Sequence, residues 1–262
     1  MRRIVLIVFA AAVASVSFAG NEPFRVPDIP QDETRYYKSY YPTPKDEPNA
    51  KFNAQRALHE ESPRLYNERI HWEGQGNNRI MTIYREENCF NKNIVKSEFV
   101  LQTGARLTML RAHRKWFAPD GTLIRERDIE FNDPSCGYPD GTFHMLLVHM
   151  LISAMDLKPK SEARFHVWLT ATVVYPMTLT VEGEERIKVE AGEFDCWRVT
   201  GKLDKMGLDD LTGMIIAGTV GQYTFWVEKG GTHGLVRLTW PLTSGALGQT
   251  PKFQVQDLVK VK

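Results

Sequence analysis

The side chains that could carry out chemistry are scattered along the sequence rather than grouped in a known motif. No G-x-S-x-G segment presents a serine nucleophile, no S-x-x-K segment pairs serine with lysine, and no H-E-x-x-H segment offers zinc two ligands. His144 and His149 are five residues apart, which places them on different faces of a helix and disfavours a shared metal ion. The sequence therefore predicts no catalytic residue, no metal site and no cofactor, although distant residues could still assemble a site in the folded chain.

A strongly apolar stretch, residues 142–157 (TFHMLLVHMLISAMDL), predicts one long helix. Only His149, Ser153 and Asp156 interrupt its apolar surface, as a narrow polar stripe at helical spacing. Pro159 marks the end of the predicted helix. A helix that is apolar nearly all round is buried, so we expect this one to pack inside the fold.

A second apolar segment, residues 206–221, is broken by glycines and predicts a mobile loop or a short, weakly held helix. One interpretation is that helix and segment plug the fold and complete its core. The other is that they form a lid over a concave sheet, where methionines give an adaptable lining for an acyl chain. The lid hypothesis predicts six ligand-binding residues: Phe143, Leu147, Met150, Leu151, Met214 and Ile215.

Short stretches of alternating apolar and polar residues follow one another from residue 68 to the end of the sequence. In the stretch 94–102, for example, Val95, Phe99 and Leu101 share one face with Ser97. Turn residues such as the Pro-Asp-Gly at 119–121 separate the stretches. The pattern predicts a mainly β fold, an antiparallel open barrel or strongly curved sheet of about ten strands, with the apolar helix packed on or in its concave face.

The stretch 122–131 places two arginines on its apolar face. Arg125 and Arg127 alternate with Leu123, Ile129 and Phe131. One interpretation is that their guanidinium groups line a site for a charged head group. The alternative, a more common arrangement, is that the aliphatic parts of the two side chains cover apolar surface while the charges stay in water.

The clearest hairpin pattern lies at residues 181–200. Val181, Ile187 and Val189 supply the first arm with β-branched residues, and the second arm continues through residues 194–199. Ala191 and Gly192 are predicted to turn the chain, because glycine adopts a positive φ without steric cost.

This hairpin resembles the motif of an exported bacterial family of unknown function, V-x-G-x-E followed by A-G-x-F-x-x-W-R-V. Members later carry a W-V strand and an L-V-R strand, which correspond here to residues 225–227 and 235–237. The resemblance covers about the C-terminal two thirds of the chain, and the additional Glu-Arg at residues 185–186 lengthens the first arm. It implies an open β-barrel similar to lipoprotein-carrier and envelope lipid-binding domains, and no catalytic residue can be carried over from it.

The first nineteen residues have the features of a secretory signal peptide. Two arginines precede an apolar run at residues 4–16, and Ser17-Phe18-Ala19 forms a small-x-small cleavage site. The run is too short for a membrane span, and no cysteine follows the site as a lipid anchor would require. We therefore predict an exported, soluble, periplasmic protein with no transmembrane segment after cleavage. The 31 basic and 32 acidic residues that remain nearly balance, which gives no reason to expect nucleic acid as a partner.

Residues 20–67 differ in composition from the rest of the chain. They hold half of its 14 prolines together with tyrosine pairs at 36–37 and 40–41. Closely spaced prolines disfavour a sheet and favour extended chain, so this range predicts a leader, either poorly ordered or lying as a strap across the outer wall of the barrel. The predicted organisation is a signal peptide (1–19), a proline- and tyrosine-rich leader (20–67) and a single β-barrel-like domain (68–262).

The three cysteines leave the disulfide pattern open. Cys89 and Cys136 both lie in turn-like sequence, but a meander of four strands would place them at opposite ends of a sheet. Cys196 follows the hairpin turn on a strand beside Trp197 and is expected to be a small buried side chain.

Taken together, these features favour a non-enzymatic periplasmic binding or carrier domain for a lipid or other apolar envelope component. Since burying one CH₂ group is worth roughly 0.8 kcal/mol, a chain of a dozen carbons could drive binding without a polar motif. The alternative is an envelope interaction or assembly protein with a solid core, an envelope protein as partner and no small-molecule ligand. An enzyme whose site is built from distant residues is the third hypothesis.

Overall fold

A single large sheet accounts for nearly all of the described structure. The computed structural model describes residues 32–40, 64–76, 78–89, 92–104, 106–131, 133, 136–170, 173–204, 222–231, 233–242 and 252–262. Their strands are β1 (Thr34–Tyr40), β2 (Arg64–Glu73), β3 (Ile80–Asn88), β4 (Ile94–Gln102), β5 (Thr108–Phe117), β6 (Leu123–Glu130), β7 (Thr142–His144), β8 (Glu162–Thr170), β9 (Val173–Val189), β10 (Gly192–Leu203), β11 (Tyr223–Glu228), β12 (Leu235–Leu242) and β13 (Lys252–Val261).

The order of the strands shows how the chain builds this sheet. It runs β6-β5-β4-β3-β2-β1-β13-β12-β11-β10-β9-β8-β7, so the first and last strands of the chain pair in the middle. All neighbours are antiparallel except β7 and β8, which are parallel. The sheet is not closed, because β6 and β7 lie at its two ends. The mainly antiparallel, open β fold is therefore confirmed.

The described residues form thirteen strands rather than the predicted ten or so, and β1 is one of the additions. It falls within the predicted leader, where proline was expected to prevent pairing, yet it lies between β2 and β13. The reason is that no proline occurs between Pro30 and Pro42, which leaves a stretch long enough for one strand with every N–H available. Residues 41–63 lie outside the described range.

The predicted long helix at 142–157 is wrong in extent. Its first three residues form β7, the next three form a 3₁₀ turn (Met145–Leu147), and only helix α1 (Val148–Ser153) is α-helical. The side chain of His144 accepts a hydrogen bond from the Leu146 N–H and caps the 3₁₀ turn. The cap at His144 and the pairing of β7 with β8 therefore outweigh the helical periodicity of this stretch. Its predicted burial is confirmed for residues 147–154.

The hairpin is confirmed and forms the longest pairing of the sheet. Strands β9 and β10 pair from Val189 opposite Gly192 to Met177 opposite Leu203. The turn is therefore formed by Glu190 and Ala191, one residue earlier than predicted, and Gly192 begins β10 with the expected positive φ of 143°. The longer first arm is accommodated by a register shift next to Val199, where Gly183 lies opposite Arg198 and Val181 opposite Val199.

All three cysteines are free thiols, and Cys196 is fully buried as predicted. Burial, followed by the nearby carboxylates of Glu228 and Asp195, raises the pKa of the Cys196 thiol to about 12. The thiol is therefore protonated at neutral pH and packs as a small side chain against Ile187 and Val236.

Candidate functional site

The structure brings four of the six predicted ligand-binding residues together. Phe143, Leu147, Met150 and Leu151 are each at most 3% exposed and belong to one core cluster with the inner face of the sheet. Phe143 lies on β7 with its ring edge-on to Phe165 of β8, at 6.2 Å between centroids. Met214 and Ile215 fall outside the described residues.

A row of charged and polar side chains also crosses the inner face, and it was not predicted from the sequence. Strand pairing places its members opposite one another on successive strands from β1 to β6: Arg35, Glu68, Arg85, Ser97, Arg114 and Arg127. The strand period of two puts Glu68 on the same face as Ile70, and Arg85 on the same face as Ile83, both of which are core residues. We call this set the polar row.

Glu87 is a second buried carboxylate on the same face, one strand position beyond the polar row. Arg64 Nη2 and Arg85 Nε each donate a hydrogen bond to it at 2.6 Å. Burial alone raises the pKa of the Glu87 carboxyl, but the guanidinium groups of Arg85, Arg64 and Arg114 outweigh that effect and lower the pKa to about 2. Glu87 is therefore ionised at neutral pH, and its charge is neutralised inside the fold.

Glu68 joins the polar row to helix α1. His149 Nε2 lies 2.8 Å from its Oε1, and Arg85 Nη1 lies 3.7 Å from its Oε2. Burial opposes ionisation of Glu68, but the contact with His149, followed by Arg85, keeps the pKa of this carboxyl below its ordinary value. The Ser153 hydroxyl donates to the carbonyl oxygens of His149 and His233, at 3.1 and 2.6 Å. Two residues of the predicted polar stripe therefore anchor the helix, His149 to Glu68 of β2 and Ser153 to the backbone at His233.

Two tyrosines extend the buried polar cluster toward β1. The guanidinium carbon of Arg85 lies 3.8 Å from the ring centroid of Tyr66, whose ring also stacks on Tyr37 at 4.7 Å. Burial raises the pKa of Tyr37 far above its usual value, so the phenol stays protonated, and its hydroxyl donates to the Leu235 carbonyl oxygen at 3.3 Å. This stack links the N-terminal strands to β12.

The two ends of the sheet meet through side chains, along a line that we call the closing seam. The seam brings Phe99 and Phe131 of one end against His144 and Trp168 of the other: Phe99 lies 4.9 Å from His144, and Phe131 lies 5.8 Å from Trp168, between ring centroids. The His144 N–H donates to the sulfur of Met109 at 3.3 Å. No pairing between β6 and β7 occurs in the described part of the chain.

Arg114 and His144 meet at this seam in an unusual arrangement. The His144 Nδ1 accepts from the Leu146 N–H at 3.0 Å, so the proton of the neutral ring sits on Nε2. Burial, then the charges of Arg114 and Arg85, lowers the pKa of His144 well below its ordinary value and keeps the ring neutral. Arg114 Nη1 lies 3.5 Å from this Nε2, so two donors face each other.

Arg125 and Arg127 lie over tryptophan rings. Arg125 is 5.2 Å from the ring centroid of Trp116 and Arg127 is 4.8 Å from that of Trp168. Arg114 lies 4.9 Å from the same Trp116 ring. The guanidinium groups themselves therefore lie over aromatic surface, and three of them gather around two tryptophans.

The sequence carried a signal for the polar row that could have revealed it. In β2, Tyr66, Glu68, Ile70 and Trp72 share a face, and Arg85 and Glu87 of β3 follow Met81 and Ile83 in the same alternation. Charged residues in register with the apolar face of two adjacent strands indicate a buried ion pair. The partners from β1, β5 and α1 have no such signal, because their neighbours depend on the order of strands.

Two open grooves lie on the outer face of the sheet, the face turned away from the core. A groove of about 450 Å³ is lined mainly by outward-facing residues of β2 to β5, among them Arg69, Tyr84 and Lys96. A second groove of about 370 Å³ lies between β1, β2 and β13 and includes Tyr36, Leu65 and Val259. Neither outer groove was predicted from the sequence.

Two kinds of site are absent from the described ranges. No group of three or more histidine, cysteine, aspartate or glutamate side chains is placed there to hold a metal ion. Within the same ranges, no helix has the length and apolar character needed to cross a membrane.

A known protein family matches part of the chain. Residues 120–248 match the model of a family described as a protein of unknown function (DUF3108). This range contains the hairpin that carried the predicted resemblance to a family of unknown function. No curated protein matches the sequence.

Solved structures similar to this chain include three bacterial proteins. A Brucella abortus protein, described as a β-barrel-like protein of the domain of unknown function DUF1849, covers 91% of this chain and 98% of its own, with 12% identity and a TM-score of 0.49. A Bacteroides fragilis protein described as exported, with a YmcC-like fold, covers 92% and 99%, with 9% identity and a TM-score of 0.41. A Parabacteroides distasonis protein described as a lipoprotein covers 92% and 99%, with 13% identity and a TM-score of 0.39.

Proposed function

We propose that this protein is a non-enzymatic, periplasmic binding or carrier domain for a lipid or other apolar component of the cell envelope. The observation that carries the proposal is the closing seam, where the two ends of an otherwise continuous sheet meet without strand pairing in its described part. Opening a barrel between paired strands breaks a ladder of hydrogen bonds, each worth about 1 kcal/mol net. Opening this seam breaks none between β6 and β7.

The surface behind the seam is suited to an apolar guest. Phe99, Phe143 and Leu147 are at most 1% exposed and belong to the same core as the rings at the seam. A chain that enters there meets these side chains and Met150, whose flexible thioether adapts to the shape of a guest. Burial of each CH₂ group contributes roughly 0.8 kcal/mol, so a long acyl chain could compensate for the side-chain packing that opening disrupts.

Native mass spectrometry of the purified mature protein, followed by organic extraction, tests the proposal. We expect a bound mass that matches a lipid recovered in the extract, and displacement of that lipid by a fluorescent fatty acid. A bare protein mass, together with no binding of the fluorescent fatty acid, would overturn the proposal.

An envelope interaction or assembly protein with a solid core is the second candidate function. It is favoured by the complete burial of Leu147 and Leu151 and by the outer groove beside Leu65, a side chain that is 46% exposed. Photo-crosslinking in cells from position 65 should then capture one defined envelope protein. The matched control is position 123, a leucine of similar exposure on β6, which should capture none.

A further inference from the structure

We infer that Arg114 and His144 form the binding site for an anionic group with exposed oxygens, a phosphate above all, which enters at the closing seam beside Arg125 and Arg127. The inference rests on the proposed function, because it assigns the charged end of an amphiphilic ligand to one place. It also makes a claim of its own, since an anion can bind there without an acyl chain.

The first support is that two N–H groups converge at this point without an acceptor between them. Arg114 Nε donates to the Ser97 hydroxyl oxygen at 3.1 Å, which orients the guanidinium. Its Nη1 lies 3.5 Å from Nε2 of His144, the ring nitrogen that carries the proton, and the Glu87 carboxylate, whose charge acts on Arg114, is hydrogen-bonded to Arg64 and Arg85 instead. Two converging donors define a position for a third group that accepts from both.

A third donor lies at the same seam. The indole Nε1 of Trp168 is buried and has no hydrogen-bond partner among the described residues, and Trp168 as a whole is 3% exposed. Its ring contacts His144 edge-on, at 4.7 Å between centroids, and lies beneath Arg127. Buried indole N–H groups usually find an acceptor, so an incoming oxygen atom would satisfy one further group here.

Positive charge is concentrated on this part of the inner face. Arg114 and Arg127 occupy directly opposite positions on β5 and β6. The carboxylates of β6 lie on the other face, where Asp128 binds Arg111 and Glu126 binds His113 and Lys115. The inward carboxylate whose charge acts on Arg114 is Glu87, which is already hydrogen-bonded to Arg64 and Arg85. An anion at the seam would place further negative charge beside Arg114.

The chemistry of the donors indicates the class of ligand. Guanidinium groups present paired N–H donors that match the oxygens of a phosphate or carboxylate, and a neutral imidazole N–H adds one donor without extra charge. Arg125 is exposed and Arg114 half-buried, so the site opens to solvent at the β6 edge. The next inward positions, Ala112 and Phe99, are apolar, which orients an amphiphile with its head at the arginines and its chain toward the core.

Isothermal titration of the mature protein with dodecyl phosphate, dodecanol and inorganic phosphate tests this site. We expect dodecyl phosphate to bind tighter than dodecanol, and Arg114→Gln to weaken dodecyl phosphate by about tenfold to a hundredfold while leaving dodecanol unchanged, because a hydrogen bond to a charged group is worth about 1.5–3 kcal/mol. Arg111→Gln is the matched control. It lies on the same strand, faces outward and should change neither affinity.

The outcomes separate this inference from the proposed function. Equal affinities for dodecyl phosphate and dodecanol, with no effect of Arg114→Gln, would overturn the anion site and leave the carrier proposal standing. Arg114-dependent binding of inorganic phosphate with no added affinity from the dodecyl chain would support the anion site and count against a lipid ligand. No binding of either phosphate would overturn the inference.

If Arg114→Gln does not fold, as judged by circular dichroism, Arg125→Gln repeats the test at an exposed position. We expect a few-fold loss of dodecyl phosphate affinity for that variant, since a surface charge contributes less than a desolvated one. An unchanged affinity would again contradict the site.

Discussion

The N-terminal arm of the sheet, strands β1 to β6, and its C-terminal arm, strands β7 to β13, bury their inner faces in different ways. The C-terminal arm presents apolar side chains to the core on strand after strand, such as Phe165 and Val167 on β8, Met177 and Leu179 on β9, Val199 on β10 and Phe225 and Val227 on β11. The N-terminal arm presents similar apolar residues near one end of its strands, followed by the polar row and by Glu87 beyond it. Arg35, Glu68, Arg85 and Glu87 are each at most 7% exposed.

Stability alone gives no reason, on general energetic grounds, for the polar row. Burial of apolar surface stabilises the C-terminal arm directly, at about 25 cal/mol per Å². A buried ion pair must first recover the cost of desolvation, and well-packed apolar residues of the same volume are often as stable or more so. Charges retained on one arm, next to converging donors at the seam, therefore favour a role in binding.

The largest expected effect tests whether the polar row is a paired network. Replacing Arg85 by Met leaves Glu68 and Glu87 buried with fewer partners, and we expect the free energy of unfolding to fall by about 3–5 kcal/mol. Urea denaturation measures it. Lys96→Met removes the exposed ion pair with Glu86 on the outer face, should cost less than about 1 kcal/mol, and serves as the control. Similar losses for the two variants would mean that the row is not a buried network.

The contribution of apolar packing is tested by a substitution in the 3₁₀ turn that leads into helix α1. Leu147 is fully buried, so Leu147→Ala should lower the free energy of unfolding by about 2–5 kcal/mol through reduced burial and a residual cavity. Thermal unfolding of the ligand-free protein measures the change. A loss well below 2 kcal/mol would show that the core around α1 collapses easily, as the lid interpretation predicts and the plug interpretation does not.

The pH dependence of stability sharpens the contrast, because the buried Glu87 of the N-terminal arm has a strongly lowered pKa. Its folded pKa of about 2 lies below its ordinary 4.5, so its stabilising contribution is present above pH 4.5 and is lost as the pH falls to 2. The difference corresponds to about 3 kcal/mol. Urea midpoints between pH 6 and pH 2 measure it.

The control for this pH profile is Glu87→Gln. The variant should be less stable than the wild type at pH 6 and should show a flatter profile between pH 4.5 and pH 2. Glu126→Gln, on the exposed outer face of β6, should keep a profile close to that of the wild type because solvent screens its charge. A Glu87→Gln profile as steep as the wild type would contradict the assignment.

The smallest expected effect probes how tightly the C-terminal arm is packed. A Cβ atom at Gly201 would collide with the Met177 methyl group and lie 3.3 Å from Phe225 Cε2. We expect Gly201→Ala to cost about 1–3 kcal/mol, near the lower end because the methionine can move. Gly230→Ala meets nothing within 4 Å and should be nearly neutral. Equal melting temperatures for both variants would show a loosely packed face.

The fold class and the hairpin follow from local residue patterns. Alternation with a period of two predicts strands wherever one face is buried, and the stretches 94–102 and 122–131 and the hairpin at 181–200 coincide with β4, with β6 and with the paired arms of β9 and β10. Two errors have local causes. A single strand-length gap between prolines allowed β1, and the residues of β7 were assigned to a helix because a short apolar run fits either period.

What lies at the closing seam depends instead on tertiary structure. Arg114 and Arg127 come from strands that pair in sequence order, but His144 reaches Arg114 and Trp168 reaches Arg127 because the sheet curves until its ends meet. That meeting depends on the order and curvature of thirteen strands, which no local pattern records. The chain therefore specifies each strand through its own residues, whereas the convergence of Arg114, His144 and Trp168 exists only in the folded sheet, because contacts between distant residues follow from topology.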